Sequence, residues 1–257
     1  MAQTLLAIAV FWILAVAAWW LLAVPFLRRG PRGDAITGLL WRILRVYGRV
    51  LHRVTYVRQD LLPADETDLR GLIVVSNHTS AADPLLIQAR CRFWIRWMMA
   101  RETMLPQLQW LWKRERIIAV DRDGRDSAAL REAIRHIKDG GAVGIFPEGG
   151  IADPPEEIRP FMSGISVLIN RTQAPVLLVW VSGTPRTELM KALVTPSHAR
   201  VEFVELMEFE GRQDPEAITE RLRERLSEAS GWPLNDEPLP TARGNGGGVR
   251  SQESEVR

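Results

Sequence analysis

The chain opens on an apolar run that no charged residue interrupts. Between Ala2 and Val24 only Gln3 and Thr4 are polar. As a helix, such a run measures about 34 Å, enough to cross a hydrocarbon core of about 30 Å. Trp12 lies within it and Trp19 and Trp20 near its end, where a membrane interface favours aromatic side chains. Ala15-Val16-Ala17 resembles a signal-peptide cleavage site. No Lys or Arg precedes the run, however, and apolar sequence continues to Leu27, so the pattern predicts an uncleaved anchor.

A second helical pattern follows. Ile36, Leu39, Leu40, Ile43, Tyr47, Val50, Leu51 and Val54 recur at helical spacing, with Arg42, Arg45, Arg49 and Arg53 on the opposite face. Directly after an anchor, this predicts an amphipathic helix lying in the membrane interface. A core helix with a solvated basic face has the same pattern. Beyond Asp60 the periodicity alternates. Gly71–Ser76, Arg92–Met99, Arg116–Asp121, Ala142–Phe146, Pro175–Val181 and Arg200–Phe209 read as strands. Pro84–Arg90, Glu102–Trp112, Ser127–Lys138, Ser163–Thr172 and Pro215–Ala229 read as helices, the last with Asp214 as N-cap and Pro215 at the first helical position. The alternation predicts an α/β fold, a largely parallel sheet covered by helices. The expected organisation is residues 1–58 as anchor and basic amphipathic helix, 59–232 as the α/β domain and 233–257 as a disordered tail rich in Pro and Gly.

Charge sharpens the picture of the N-terminal part. Arg28 to Arg58 holds eight arginines and one acid, Asp34, in a chain of 257 residues with a net charge of only +2. Such a stretch suits an anionic surface. Because it abuts an apolar anchor, a bilayer is the expected partner and nucleic acid is set aside. Arginines after the anchor also place the domain on the cytoplasmic side of the cell membrane. One cysteine, Cys91, excludes an internal disulfide framework and a multi-cysteine metal site. Four scattered histidines without metal-ligand spacing argue against a metal enzyme, so no cofactor is expected. No period of 20–50 residues recurs along the chain.

Candidate chemistry sits at strand ends. After Gly71–Ser76 come Asn77, His78 and, five residues past the histidine, Asp83, with Asp83-Pro84 carrying the N-cap signature of a new helix. A carboxylate on one imidazole nitrogen fixes the tautomer and leaves the other nitrogen free to take a proton, as a general base for an alcohol requires. The spacing alone is common by chance. A second strand ends in Phe146-Pro147-Glu148-Gly149-Gly150, where glycine allows close backbone approach and Glu148 can meet a hydroxyl or an ammonium group. Between them, Asp121-Arg122 ends a third strand, and a guanidinium there can grip a phosphate or pair with a neighbouring Asp.

Together these elements resemble the glycerolipid acyltransferases, the family that includes bacterial 1-acylglycerol-3-phosphate O-acyltransferases. The likeness spans about residues 70–184. It rests on N-H-x-x-x-x-D (Asn77, His78, Asp83), the strand-end Arg122, F-P-E-G (Phe146, Pro147, Glu148, Gly149) and the hydrophobic strand at Ala174-Pro175-Val176. The resemblance implies transfer of a fatty acyl group from an acyl-CoA or acyl-carrier-protein thioester to a lysophospholipid hydroxyl at the membrane. His78 would be the base, Asp83 its orienter, and Asn77, Arg122, Phe146, Pro147, Glu148 and Gly149 would hold substrate. Two departures stand out. Gly150 and Ile151 replace the Thr-Arg that follows F-P-E-G in many phosphate-acceptor members, and Phe161-Met162-Ser163-Gly164 lacks the lysine of a later element. Arg159 or Arg171 can compensate. A lyso-lipid with a non-phosphate headgroup therefore stays open as the acceptor, as does a membrane lipid hydrolase, although no G-x-S-x-G is present. Phe93, Trp94, Trp97, Met98, Met99, Trp110 and Trp112 either line an acyl slot or pack as ordinary core.

Overall fold

The computed structural model describes residues 1–121, 127–151 and 156–239. The apolar run forms α1 (Ala2–Ala18), a π-helical turn over Trp19–Ala23 and α2 (Val24–Arg28), one helix from Ala2 to Arg28 long and apolar enough to cross a membrane. None of the α1 side chains is buried, and this exposed apolar surface supports membrane association.

Asp34 caps the next helix, α3 (Ala35–Val50), its carboxylate accepting from the Ile36 and Thr37 N–H groups at 3.1 and 2.9 Å. The helix crosses α2 at backbone contact. A Cβ on Gly38 would lie 1.8 Å from the Leu27 carbonyl oxygen, so only glycine permits the crossing. The expected single apolar face divides in two. Thr37, Gly38, Trp41 and Gly48 are buried, whereas Ile36, Leu39, Ile43, Val46 and Val50 are exposed. Arg42 folds back over the Phe26 ring, 3.7 Å from its centroid, and Arg45 over Trp41. The division arises because the helix packs on α2 through its small residues and Trp41, which turns much of the aliphatic stripe outward.

The domain follows with β1 (Thr55–Val57), β2 (Leu72–Ser76), α4 (Asp83–Arg90), β3 (Ile95–Ala100), α5 (Gln109–Arg114), β4 (Ile118–Val120), α6 (Ser127–Lys138), β5 (Ala142–Ile145), α7 (Gly164–Thr172), β6 (Val176–Ser182), α8 (Leu189–Val194), β7 (Arg200–Met207) and α9 (Pro215–Ser230). The seven strands among the described residues form one sheet in the order β1-β7-β6-β2-β5-β3-β4, with every pair parallel except β6 and β7. The expected α/β architecture is therefore present. β2 lies between β5 and β6 and is buried on both faces, which is why it reads as an unbroken apolar run. Its alternate residues feed two cores. Ile73 and Val75 pack with α6, α7 and α9, and Leu72 and Val74 with Leu86 and Ile87 of α4 and with Phe93.

Several local expectations change. Glu102–Trp112 is not one helix: 3-10 turns at Arg101–Thr103 and Pro106–Leu108 precede the short α5. Pro106 has no N–H to continue a helix and its ring clashes with the preceding turn. β1 and α8 carry no clear periodicity and were not expected, and β1 places residues 55–57 in the sheet rather than with the anchor. By contrast, the Asp214 cap forms as read, with its carboxylate 3.1 Å from the Glu216 and Ala217 N–H groups. The tail expected from Pro233 onward begins tied to the domain. Ile158 N–H donates to the Pro233 carbonyl and Asn235 N–H to the Ile158 carbonyl, both at 3.0 Å.

Candidate active site

Parallel strands send the loops after β2, β5 and β6 to one edge of the sheet, where open α/β folds place their sites. Asn77 ends β2. Its amide donates to the Val181 carbonyl and accepts from the Val181 N–H, both at 2.8 Å, locking the end of β2 to β6. His78 follows, partly exposed, and its Nδ1 lies 3.1 Å from Asp83 Oδ2. The expectation that Asp83 caps α4 is corrected: the N-cap is Ala82, and Asp83 is the first residue of the helix. Its carboxylate turns back into the loop, where Oδ2 also accepts the Thr79 and Ser80 N–H groups at 2.7 and 2.8 Å. Asp83 is fully buried, so these charge-assisted bonds replace the water it has lost.

The loop after β5 supplies the other wall. Phe146, Pro147, Glu148 and Gly149 form a tight turn in which Gly149 N–H donates to the Phe146 carbonyl at 3.2 Å. Gly149 has φ of +80°, and a Cβ there would come 2.7 Å from Met162 Sδ. The Pro147 carbonyl accepts the Met162 N–H at 2.8 Å. The Phe146 ring stacks on the His78 imidazole at 4.0 Å and on Trp97 at 4.9 Å. Glu148 Oε1 accepts the His78 N–H at 3.3 Å, which joins the two loops directly.

A sequence profile described as Acyltransferase matches residues 53–182, half of the chain. The chain belongs to the acyltransferase family. The acyltransferase fold is also seen in the crystal structure of the 1-acyl-sn-glycerophosphate (LPA) acyltransferase PlsC from Thermotoga maritima, to which this chain is similar with a TM-score of 0.62. That match has 24% identity and covers 90% of this chain and 95% of the other. A comparison with curated proteins found no match.

Within the acyltransferase, Glu148 is the electrostatic outlier. It is almost wholly buried, and Oε2 has no hydrogen-bond partner among the described residues. Burial pushes its carboxyl up from 4.5 to about 7, against the opposing pull of the His78 and Arg159 N–H groups and the Arg159 charge. Arg122 lies outside the described residues. Cys91 is buried at the C-terminus of α4, and burial raises its thiol well above the usual range, so it is held as an inert protonated thiol. Among the described residues no group of three His, Cys, Asp or Glu is placed to hold a metal ion. The aromatic cluster divides, with Phe93 buried in the core, Trp97 backing Phe146 and Trp110 exposed.

Two neighbours of the site were not singled out as such from sequence. Thr184, beyond the end of β6, shares a 2.7 Å hydroxyl contact with Thr79. Trp97 fits because its partner strand carries Gly144: a Cβ there would come 2.4 Å from the indole ring. A glycine between Val143 and Ile145 in a largely buried strand was the available signal for a large ring passing over it.

Proposed function

We propose that this acyltransferase moves a fatty acyl group from an acyl-CoA or acyl-carrier-protein thioester to the hydroxyl of a lysophospholipid such as 1-acylglycerol-3-phosphate. The reading rests on one arrangement, the partly exposed His78 held at Nδ1 by a buried carboxylate that two main-chain N–H groups also fix. Nε2 then takes the acceptor hydroxyl proton as the oxygen attacks the thioester carbonyl. Asp83 steadies the imidazolium, the tetrahedral oxyanion collapses, and the thiolate leaves without an acyl-enzyme. The N–H groups of His78, Thr79 and Ser80 are already engaged by carboxylates. We therefore assign oxyanion stabilisation to the Glu148 and Gly150 N–H groups of the turn after β5, since Pro147 has none and that of Gly149 is bonded to the Phe146 carbonyl. Phe146 supports the imidazole face, Glu148 orients the acceptor, and Arg122 contributes a cation for a headgroup phosphate. Asn77, with both amide ends on Val181, takes a positioning role in place of direct substrate contact.

We further propose that α1 and α2 anchor the chain and that α3 lies in the interface with Ile36, Leu39, Ile43, Val46 and Val50 toward acyl chains. The site then opens at the cytoplasmic face. On this reading the anchor unit ends before Thr55, and the catalytic domain runs from β1 through the tied segment at 233–239. Thiol release from acyl-CoA or acyl-carrier protein, measured in membranes with a panel of lyso-lipids, tests the assignment. Acceptor-dependent release that is lost in His78→Ala supports it. Release of free fatty acid without an acceptor would make the protein a hydrolase instead.

A further inference from the structure

The segment after α9 returns across the domain to the acceptor loop. Arg223 Nη2 donates to the Asn235 carbonyl at 3.0 Å and lies 3.1 Å from Asp236, Asn235 Nδ2 donates to Glu157 Oε2 at 2.6 Å, and Leu234 pairs with Ile158 in an isolated parallel bridge. Next along the chain, Arg159 Nη1 donates to the Glu237 carbonyl at 3.0 Å. Arg159 is itself buried, and its main-chain N–H is one of the two that hold Glu148. Two residues further on, Leu239 reaches the turn. Its Cδ1 lies 3.3 Å from where a Cβ on Gly150 would stand.

We infer that residues Pro233–Leu239 are a wall of the acceptor site, and that Leu239 over Gly150 sets the largest lyso-lipid headgroup the enzyme accepts. The geometry supports this in two ways. Gly150 is two residues from Glu148, and Glu148 touches the His78 main chain, so Leu239 stands beside the place where an acceptor hydroxyl must be presented. Three of the described side chains next to this turn are apolar: Leu239, the exposed Met162 and the exposed Ile151. The Arg159 guanidinium is already engaged by the Glu237 carbonyl and lies 3.7 Å from Glu157. An apolar wall with an engaged cation selects by size rather than by phosphate charge. A headgroup that extends past the glycerol phosphate meets Leu239, while a compact one does not.

The inference rests on the acyl-transfer reading, and the test separates the two. Wild type, Leu239→Ala and Gly150→Val are each given 1-acylglycerol-3-phosphate, a compact acceptor, and lysophosphatidylglycerol, a larger one. Turnover is measured in the active proteins, and binding of the same two lipids in each protein carrying His78→Ala. Leu239→Ala is expected to shift the kcat/KM and binding ratios toward the larger acceptor by about tenfold, the scale of a hydrophobic pocket gaining a few methylenes of room. Gly150→Val is expected to shift both toward the compact one. The wall is overturned if neither variant moves the binding ratio by more than about twofold, whatever happens to its melting temperature. If binding ratios shift while wild type turns over neither lipid, the wall stands and the acyl-transfer reading fails.

Discussion

The two loops that meet at His78 leave the same edge of the sheet, yet they treat their carboxylates in opposite ways. Asp83 and Glu148 are both buried. Asp83 Oδ2 collects an imidazole and two main-chain N–H groups, all from its own loop. Glu148 is held by donors on two other segments, residues 78 and 159, and keeps Oε2 unpartnered among the described residues. The first arrangement fixes the carboxylate against the imidazole, as the proposed general base requires. The second leaves a carboxyl that titrates near neutrality and has one oxygen to offer a ligand. A local donor set thus satisfies its carboxylate, and a set assembled across the fold leaves one oxygen over, which suits the orienting and binding roles proposed for Asp83 and Glu148.

The sharpest break in the comparison is expected at the dyad. His78→Ala should lower kcat/KM by about 10³–10⁴-fold, and Asp83→Asn by about 10²–10⁴-fold because the amide misdirects the imidazole tautomer. Single-turnover acyl transfer with circular dichroism as the folding control checks both. If Asp83→Asn keeps nearly full activity, the fixed-charge half of the contrast fails.

Glu148→Gln should show its effect in the pH dependence of stability. The folded carboxyl is raised from 4.5 to about 7, so the folded protein keeps a proton that the unfolded chain releases. Its contribution is full below about pH 4.5 and is lost as pH rises through about 7, on the order of 3 kcal/mol in all. Denaturant melts of wild type and Glu148→Gln between pH 4.5 and 8 should differ in slope over that window. Parallel curves would mean that Glu148 is not held as an unsatisfied buried carboxyl.

A smaller effect is expected behind the stack. Gly144→Ala places a methyl against Trp97, costing about 1–3 kcal/mol of overpacking and tilting Phe146 off the imidazole. A fall in kcat with little change in acceptor KM would locate the damage on the His78 side. A change confined to KM would shift it to the Glu148 side.

Much of the sheet was legible because its signals are local. Ser127–Lys138 matches the expected bounds, β2 and β6 differ from theirs by a residue, and Asp214 caps α9 as read. His78 and Asp83 were legible for the same reason, since five residues of one loop carry the whole contact. What stayed hidden needed partners far along the chain. Thr184 meets Thr79 across 105 residues, and Arg159 reaches Glu237 across 78. The buried side of α3 was hidden because Thr37, Gly38, Trp41 and Gly48 do not read as an apolar stripe, and only the crossing with α2 shows that they, rather than the aliphatic residues, are covered.

The sequence by itself determined the apolar N-terminal helix, the α/β alternation and the histidine–aspartate loop, because hydrophobic period, capping and short-range spacing act over a few residues. Only the tertiary structure decided that Asp83 serves the loop rather than the helix cap, and that Glu148 loses water without gaining a full set of partners. It also decided that the chain after α9 returns to cover Gly150. Each of these depends on which distant segments arrive at one sheet edge and on how much solvent they exclude there. Burial and long-range hydrogen bonds are properties of the assembled fold, and no local pattern in the chain carries them.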